Sequence, residues 1–412
     1  MPEISPFAAI RFNGKKFSGG LSDVLAPPYD VLSEAEKSAL LSRHSRNIVA
    51  VDLPHVPPKS VGPPEAYERS GRFLHEWLED GTLVRDPEPA IYVYHQVFAH
   101  EGRPYTRRMY IARVRITAFS EGAVLPHEKT FGGPKEDRLA LMKTTRCNLS
   151  PIFGIYPDPN HTVDGALEGV VQRTPDAQGT LDGVQNLIWM VTDGSIVRRV
   201  VDAMASVKVF IADGHHRYET ALKYRDEVVA AGNLPEDHPA RFVMFVLASM
   251  DDPGCLILPY HRVLLQVSMD QVLEAWRPGI DVVEAVRRDL TLHEGCTGRE
   301  LHLRFTSRTK LATLEPTECA AWQTLDTAYI HRYLIEELLS KRGSGSEVKI
   351  AYVKSRQEAV RTAKAEVGVA VLVRPTQMDQ LRAVSESGGV MPQKSTYFHP
   401  KLATGLTIHP LY

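Results

Sequence analysis

Cysteine is scarce. Cys147, Cys255, Cys296 and Cys319 are the four in 412 residues, scattered and without a C-x-x-C pair. That argues against a zinc knuckle, a redox dithiol and a disulfide framework, and fits a reducing compartment. Charge of one sign is also lacking: 48 Lys and Arg stand against 50 Asp and Glu, a formal net of −2. No global basic field is present to hold nucleic acid or an anionic membrane. Long hydrophobic runs are missing as well, since the longest apolar stretch, near Phe242 to Met250, is about half of the roughly 20 residues that span a bilayer. The first residues, MPEISPFAAIRFNGKK, put an acid and a proline where a secretory signal carries positive charge and then an apolar run. Neither an internal repeat nor a low-complexity tract is visible. The expectation is a cytoplasmic protein that engages neither nucleic acid nor membrane and acts on a small molecule.

What is present is ordinary globular material, 43% hydrophobic, at a length that corresponds to about two to three domains. Pro54 to Pro64 and Gly343 to Ser346 read as connections. Between Glu65 and Asp80 the positions Tyr67, Phe73, Leu74, Trp77 and Leu78 repeat at helical spacing, and Gly81 supplies a stop. Ile91 to Phe98 and Tyr105 to Ile116 read as a β-hairpin. From Val207 an apolar run meets Asp213-Gly214 and then an amphipathic segment, the pattern of strand, tight turn and helix. Further strands are expected at Phe242 to Leu247, Cys255 to Leu258, Lys349 to Val353 and Val367 to Val373. Helices are expected near Met269 to Trp276, Arg356 to Val367 and Met378 to Ser385. Strands alternate with helices only in part, which favours α+β over a doubly wound parallel sheet.

The most informative segment is Val207 to Leu222. A buried strand ends at Ala212, Asp213 can cap the next helix, and Gly214 allows close backbone approach. Helix N-termini attract phosphate through free N–H donors and the macrodipole; Arg217 adds a bidentate fork, and His215 or His216 another donor. The alternative is a capped turn with two surface histidines and an arginine paired to Glu219 or Asp226. Adjacent histidines lack the spacing of a dedicated metal site.

A second constellation runs from Leu125 to Phe153, where His127, Glu128 and Lys129 precede a Gly-Gly-Pro turn and Lys135, Glu136, Asp137 and Arg138 open a helix. A carboxylate beside cations is what phosphoryl transfer uses, one group orienting the hydroxyl while the others neutralise transferring charge. On local pattern alone, a solvated helix start with i,i+3 and i,i+4 ion pairs is the reading these residues favour. Weaker signals are Tyr29-Asp30 after two prolines, a His261-Arg262 pair that reads as a turn, and the dense run Lys394, Ser395, Thr396, Tyr397, His399 and Lys401. Such a run caps a neighbouring site or simply packs Tyr397 and Phe398.

Taken together, APPYDVLS (26–33), HEKT with GPKEDRLALM and NLSPIFGIY (127–156), FIADGHHRYETAL (210–222), DDPGCLILPYHR (251–262) and MPQKSTYFHPKLATGL (391–406) resemble a widespread bacterial and archaeal family of formerly uncharacterised proteins. The Gly214-His215-His216-Arg217 box is similar to the Gly-x-x-Arg box of the ParB and sulfiredoxin superfamily, where a strand leads into a phosphate-holding turn. That resemblance implies a mixed α/β core of this type over residues 1–265, enlarged by insertions. A C-terminal α/β region, 266–412, follows, with a last segment that can return to the site. Sulfiredoxins carry a catalytic Cys in the box where this chain has His215 and His216. ParB proteins follow it with a basic helix-turn-helix segment, where this chain is acidic. A third branch contains kinases of free serine. The resemblance therefore implies a phosphotransferase using ATP or ADP with Mg²⁺ on a small hydroxyl metabolite, free L-serine first, with a nucleotide-binding switch as the alternative. Asp213, Gly214, His215, His216 and Arg217 would hold the phosphates. Glu128 would orient or deprotonate the hydroxyl, with Asp30 in reserve, and Lys135 and Arg138 would stabilise charge. His127, His261, Arg262, Lys394, Ser395 and Thr396 are additional candidates.

Overall fold

Alternating and continuous apolar runs become a mixed sheet in the computed structural model, which describes every residue except Ser18, Lys59, Phe131, Asn233, Ser307 and 345–347. Two units are distinguished. The first comprises Met1–Pro126, Thr130–Cys255 and Pro400–Tyr412, and the second His127–Lys129 and Leu256–His399.

The main sheet of the first unit is built from β1 (Ile4–Ser5), β2 (Ile91–His100), β3 (Arg103–Arg115), β4 (Val124–Leu125), β5 (Ile152–Tyr156), β6 (Ala177–Leu181), β7 (Val184–Val191), β8 (Val209–Asp213) and β9 (Phe242–Ser249). They form one sheet in the order β4-β8-β5-β9-β3-β2-β7-β6, with β1 paired to β3. The pairs β4/β8 and β5/β9 are parallel, and the others are antiparallel. The expected hairpin is β2–β3. Strand β9 is buried at all eight positions, as an unbroken apolar run must be when it is paired on both edges and covered on both faces. Gly154 on β5 is a necessity of this packing: a Cβ there would lie 2.8 Å from the Phe245 ring and 2.9 Å from Leu247.

Five helices accompany these strands in the argument: α1 (Pro64–Glu79), α2 (Gly132–Thr145), α3 (Thr162–Leu167), α4 (Gly194–Met204) and α5 (His215–Ala231). Helix α1 is the one its apolar spacing predicts, with Tyr67, Leu74 and Trp77 buried. One face of α5 carries Tyr218, Ala221 and Tyr224 into the core formed with Val209, Ile211, Phe245 and Leu247.

In the second unit six antiparallel strands run in the order Ile280–Val282, Glu300–Phe305, Leu290–Glu294, Val369–Val373, His261–Leu264, Ile350–Val353. The helix Arg356–Ala365 lays Ala359 and Ala363 on Val263, Ala370 and Leu372. His261 and Arg262 thus open a strand within this sheet, correcting the turn expected there. Of the second expected connection, Gly343 and Ser344 close the helical segment Tyr329–Ser344, and residues 345–346 lie outside the described residues. No described helix is long and apolar enough to cross a membrane.

Candidate functional site

The site is built where β8 hands over to α5. Gly214 is the first residue past the strand and adopts φ +98, in the left-handed region that a Cβ disfavours. An added Cβ would also sit 3.0 Å from the Arg217 guanidinium. The N-cap of α5 is Gly214, which has no side chain to cap the first turn, and the positive end of the helix dipole there favours an anion. Asp213 does not cap this helix, contrary to expectation. Its carboxylate instead accepts from Lys401 Nζ at 2.6 Å and lies 3.7 Å from Arg217. Burial would raise its pKa, but Lys401 and Arg217 outweigh burial and hold the carboxyl well below the usual range. Arg217 also donates to the Pro151 carbonyl, which fixes its guanidinium beneath the turn.

His215 is buried and His216 half-buried, which corrects the alternative of two surface histidines. Burial lowers the His216 pKa, partly offset by Glu219 and Asp30. Asp30 itself is exposed, one residue beyond Tyr29, whose buried ring carries the Arg138 guanidinium at 4.0 Å from its centroid.

The start of α2 is a second, closed cluster. Asp137 is fully buried and accepts from Tyr67 Oη at 2.6 Å and from Arg138 Nε at 2.7 Å, with His55 Nε2 at 2.6 Å. Arg138 also donates to the Asp52 carbonyl at 2.6 Å. Burial works against the Arg138 charge, yet Asp137, Tyr29 and Asp52 outweigh it and raise its pKa. These are not solvated local pairs. Arg138 nevertheless meets Arg217 across one small cavity of about 40 Å³, lined also by Tyr29, Asp52, Ser150 and Thr220. Lys135 pairs with Glu219 Oε2 at 2.6 Å and with Thr130 Oγ1 at 3.2 Å.

The remaining expected residues belong to the second unit. Glu128 is half-buried and bridges to Met391. His127 is buried, with Nε2 at 2.8 Å from Thr396 Oγ1. Ser395 Oγ donates to the Pro392 carbonyl at 2.6 Å. Arg262 donates to the Lys394 carbonyl at 3.1 Å, and burial pulls its pKa down to about 10. His261 Nδ1 accepts from the Val373 N–H at 3.2 Å, and burial, aided by Arg262, lowers its pKa to about 4. Lys401, Asp52, His55, Tyr67, Ser150 and Glu219 escaped the sequence-based set of site residues. Lys401 alone carried a signal, its place in the donor-rich C-terminal run. Among the described residues no group of three or more His, Cys, Asp or Glu side chains is gathered to hold a metal ion.

Strand β8 thus ends at a left-handed glycine that opens α5, beside a carboxylate held between two cations. Over residues 4–328 the chain matches the family described as a protein of unknown function (DUF1015), and it belongs to that family. No curated protein matches it. Among solved structures it is similar to SbnI with C-terminal truncation from Staphylococcus aureus, at 13% identity over 73% of this chain and 87% of that chain, with a TM-score of 0.37. A free serine kinase in complex with AMP is similar at 10% identity over 70% of this chain and 90% of that one, TM-score 0.34. A conserved hypothetical protein from Pyrococcus furiosus follows at 12% identity over 70% and 94%, TM-score 0.33.

Proposed function

We propose that this chain is a nucleotide-dependent phosphotransferase acting on a small hydroxyl compound. The observation that carries the reading is the start of α5 at the left-handed Gly214, with Arg217 and Lys401 drawn onto Asp213 beside it. Backbone N–H groups there, with Arg217 and His216, suit the terminal phosphates of ATP or ADP. Free L-serine is the first acceptor to test, because the Gly-x-x-Arg box resembles a superfamily with a serine-kinase branch. Magnesium ions typically keep waters and use one or two protein carboxylates together with phosphates. Asp213, at the end of β8, and the exposed Asp30 are the carboxylates that would hold such an ion. When bound, the ion supplies charge neutralisation on the transferred group.

In the transfer itself the acceptor oxygen attacks the terminal phosphorus, the bond to the bridging oxygen breaks, and the hydroxyl proton passes to a carboxylate. Asp30 offers that role within the first unit, being exposed. The sequence offers Glu128 as the other carboxylate. General-base catalysis supplies about 10² to 10⁴ in rate, so replacing the true base, by Asp30→Asn or Glu128→Gln, lowers kcat by that order and leaves nucleotide affinity nearly unchanged. The deciding experiment incubates the full chain with ATP or ADP, Mg²⁺ and a panel of amino acids and small alcohols, followed by phosphorus NMR. Acceptor-dependent appearance of a phosphate monoester is expected. Nucleotide binding without transfer to any acceptor overturns the reading in favour of a nucleotide-controlled switch.

A further inference from the structure

Three polar side chains lie in one row across three adjacent strands of the first unit's apolar sheet. Asn186 on β7 pairs in register with Gln96 on β2, and Gln96 with Arg107 on β3. All three are buried, and so is Tyr94, two residues before Gln96 and on the same face of β2. Gln96 Nε2 donates to Asn186 Oδ1 at 3.1 Å, Tyr94 Oη donates to the same oxygen at 2.6 Å, and Arg107 donates to Gln96 Oε1. Asn186 Nδ2 in turn donates to the carbonyls of Gly179 and Val184.

What this row holds is a stretch of backbone. The chain re-enters the first unit at Pro400. There Arg107 Nη2 donates to the Pro400 carbonyl at 2.6 Å, Gln96 Nε2 to the Lys401 carbonyl at 3.1 Å, and the Ala403 N–H to Tyr94 Oη at 3.4 Å. The Lys401 side chain, tied at its own carbonyl, reaches Asp213 Oδ2 one residue ahead of Gly214. Arg107 approaches the same turn through the sheet: its guanidinium lies 4.8 Å from the Phe153 ring centroid, and Phe153 is the register partner of Asp213. The sheet's own cohesion does not call for such a row, since apolar side chains fill buried strand positions without desolvating a charge. Burial lowers the Arg107 pKa, and Cys255, Tyr94, Asp252 and Asp213 offset only part of that.

We propose that Gln96 and Arg107 are positioning residues of the α5 site, holding the backbone of residues 400–401 so that Lys401 stands at the Asp213–Gly214 turn and meets a phosphate there together with Arg217. Ties at two successive carbonyls fix the place and direction of the peptide from which Lys401 extends. A long side chain with much rotamer freedom to lose gains most from a fixed root. The proposal rests on the nucleotide reading of that turn, and not on phosphoryl transfer.

A double-mutant cycle read by calorimetry on the full chain, with ADP and adenosine as probes, tests it. Lys401→Met is expected to weaken ADP at least about tenfold, the lower end of what a charge-assisted hydrogen bond gives, and to leave adenosine unchanged. Lys401→Arg should restore most of the loss. Gln96→Met and Arg107→Met should each weaken ADP by about two- to tenfold, the worth of a neutral hydrogen bond. Added to Lys401→Met, either should change ADP affinity by less than about twofold, because an effect that runs through Lys401 disappears with it. Should Arg107→Met fail to fold, the Gln96→Met arm decides. Val200→Ala, a core truncation on α4 outside the row, should lower the melting temperature and spare ADP affinity. Additive losses in the cycle, equal losses for ADP and adenosine, or a loss of ADP affinity in Val200→Ala as large as in Gln96→Met would each overturn the proposal in favour of a purely structural row. ADP affinity untouched by Lys401→Met but weakened by Arg217→Ala would overturn it alone, leaving the nucleotide reading standing. A wild-type chain that binds no ADP would overturn both, whereas a chain that passes the cycle and transfers phosphate to no acceptor would lose only the transferase reading.

Discussion

Two helix starts in the first unit, those of α2 and α5, look alike in the sequence and differ in what their charges are doing. Glycine stands at each, Gly132 as the first residue of α2 and Gly214 just ahead of α5, and both place acids and bases within a few residues. At α2 the charges are consumed: Asp137 has Tyr67, His55 and Arg138, and Arg138 has Asp137, the Asp52 carbonyl and the face of Tyr29. At α5 the first turn has no side-chain cap, and the carboxylate that could have capped it is turned to Lys401. A closed network serves stability, because each member would be an uncompensated buried charge without the others. A glycine-led start with cations gathered beside it suits an anionic ligand. The two starts therefore differ in what the nearby carboxylate is turned to, Asp137 to a network within its own cluster and Asp213 to Lys401 and Arg217.

The comparison breaks most sharply at Gly214. Gly214→Val puts a β-branched residue at φ +98 and its Cβ 3.0 Å from the Arg217 guanidinium, so nucleotide binding should be lost outright. Thermal shift with and without ATP or ADP is the measurement. A variant that melts like wild type and still shifts with nucleotide would move the phosphate site elsewhere.

At the closed start the expected loss is of stability. Asp137→Asn leaves the buried Arg138 with Asp52, at 3.8 Å, as its remaining ion partner, and breaking a buried pair costs about 3 to 5 kcal/mol. Chemical denaturation reads this directly. An effect below about 1 kcal/mol, the value of a surface pair, would mean that the network is not closed.

Next in size is Arg217→Ala, which removes a hydrogen-bonding cation from the open start and should weaken nucleotide binding by about 1.5 to 3 kcal/mol with the fold retained. Calorimetry on the folded variant checks it. Unchanged affinity would confine Arg217 to its tie with the Pro151 carbonyl.

How far these two starts were legible in the sequence follows from the range of the interactions involved. The β2–β3 hairpin, the β8-turn-α5 passage and helix α1 are encoded by neighbours a few residues apart, and apolar periodicity finds them. The diversion of Asp213 from capping depends on Lys401, 188 residues away. The closure of Asp137 depends on Tyr67, 70 residues before it. Capping preference and helical ion-pair spacing are local rules, so they suggested a cap and solvated pairs where long-range partners had taken the side chains. His261-Arg262 reads as a turn after Pro259 for the same reason, since the strand exists only once Val369–Val373 and Ile350–Val353 flank it.

The smallest expected effect falls on the tie between the two helices. Lys135 on α2 reaches Glu219 on α5 at 2.6 Å, and both side chains are about a quarter exposed. A partly solvated pair contributes about 0.2 to 1 kcal/mol and is screened by salt. Lys135→Met should therefore cost no more than that in denaturation at low salt, with the difference from wild type shrinking as ionic strength rises. The sequence placed Lys135 beside the transferring phosphate; the structure commits it to Glu219 and Thr130. If that commitment persists in the working protein, nucleotide affinity and phosphoryl transfer change by less than about threefold, far below the 10² at which a group acting in the chemical step begins to register. A hundredfold loss of kcat with unchanged stability would show that Lys135 leaves Glu219 when the nucleotide arrives. The start of α2 would then be partly open after all, one of its cations being held in reserve for the start of α5.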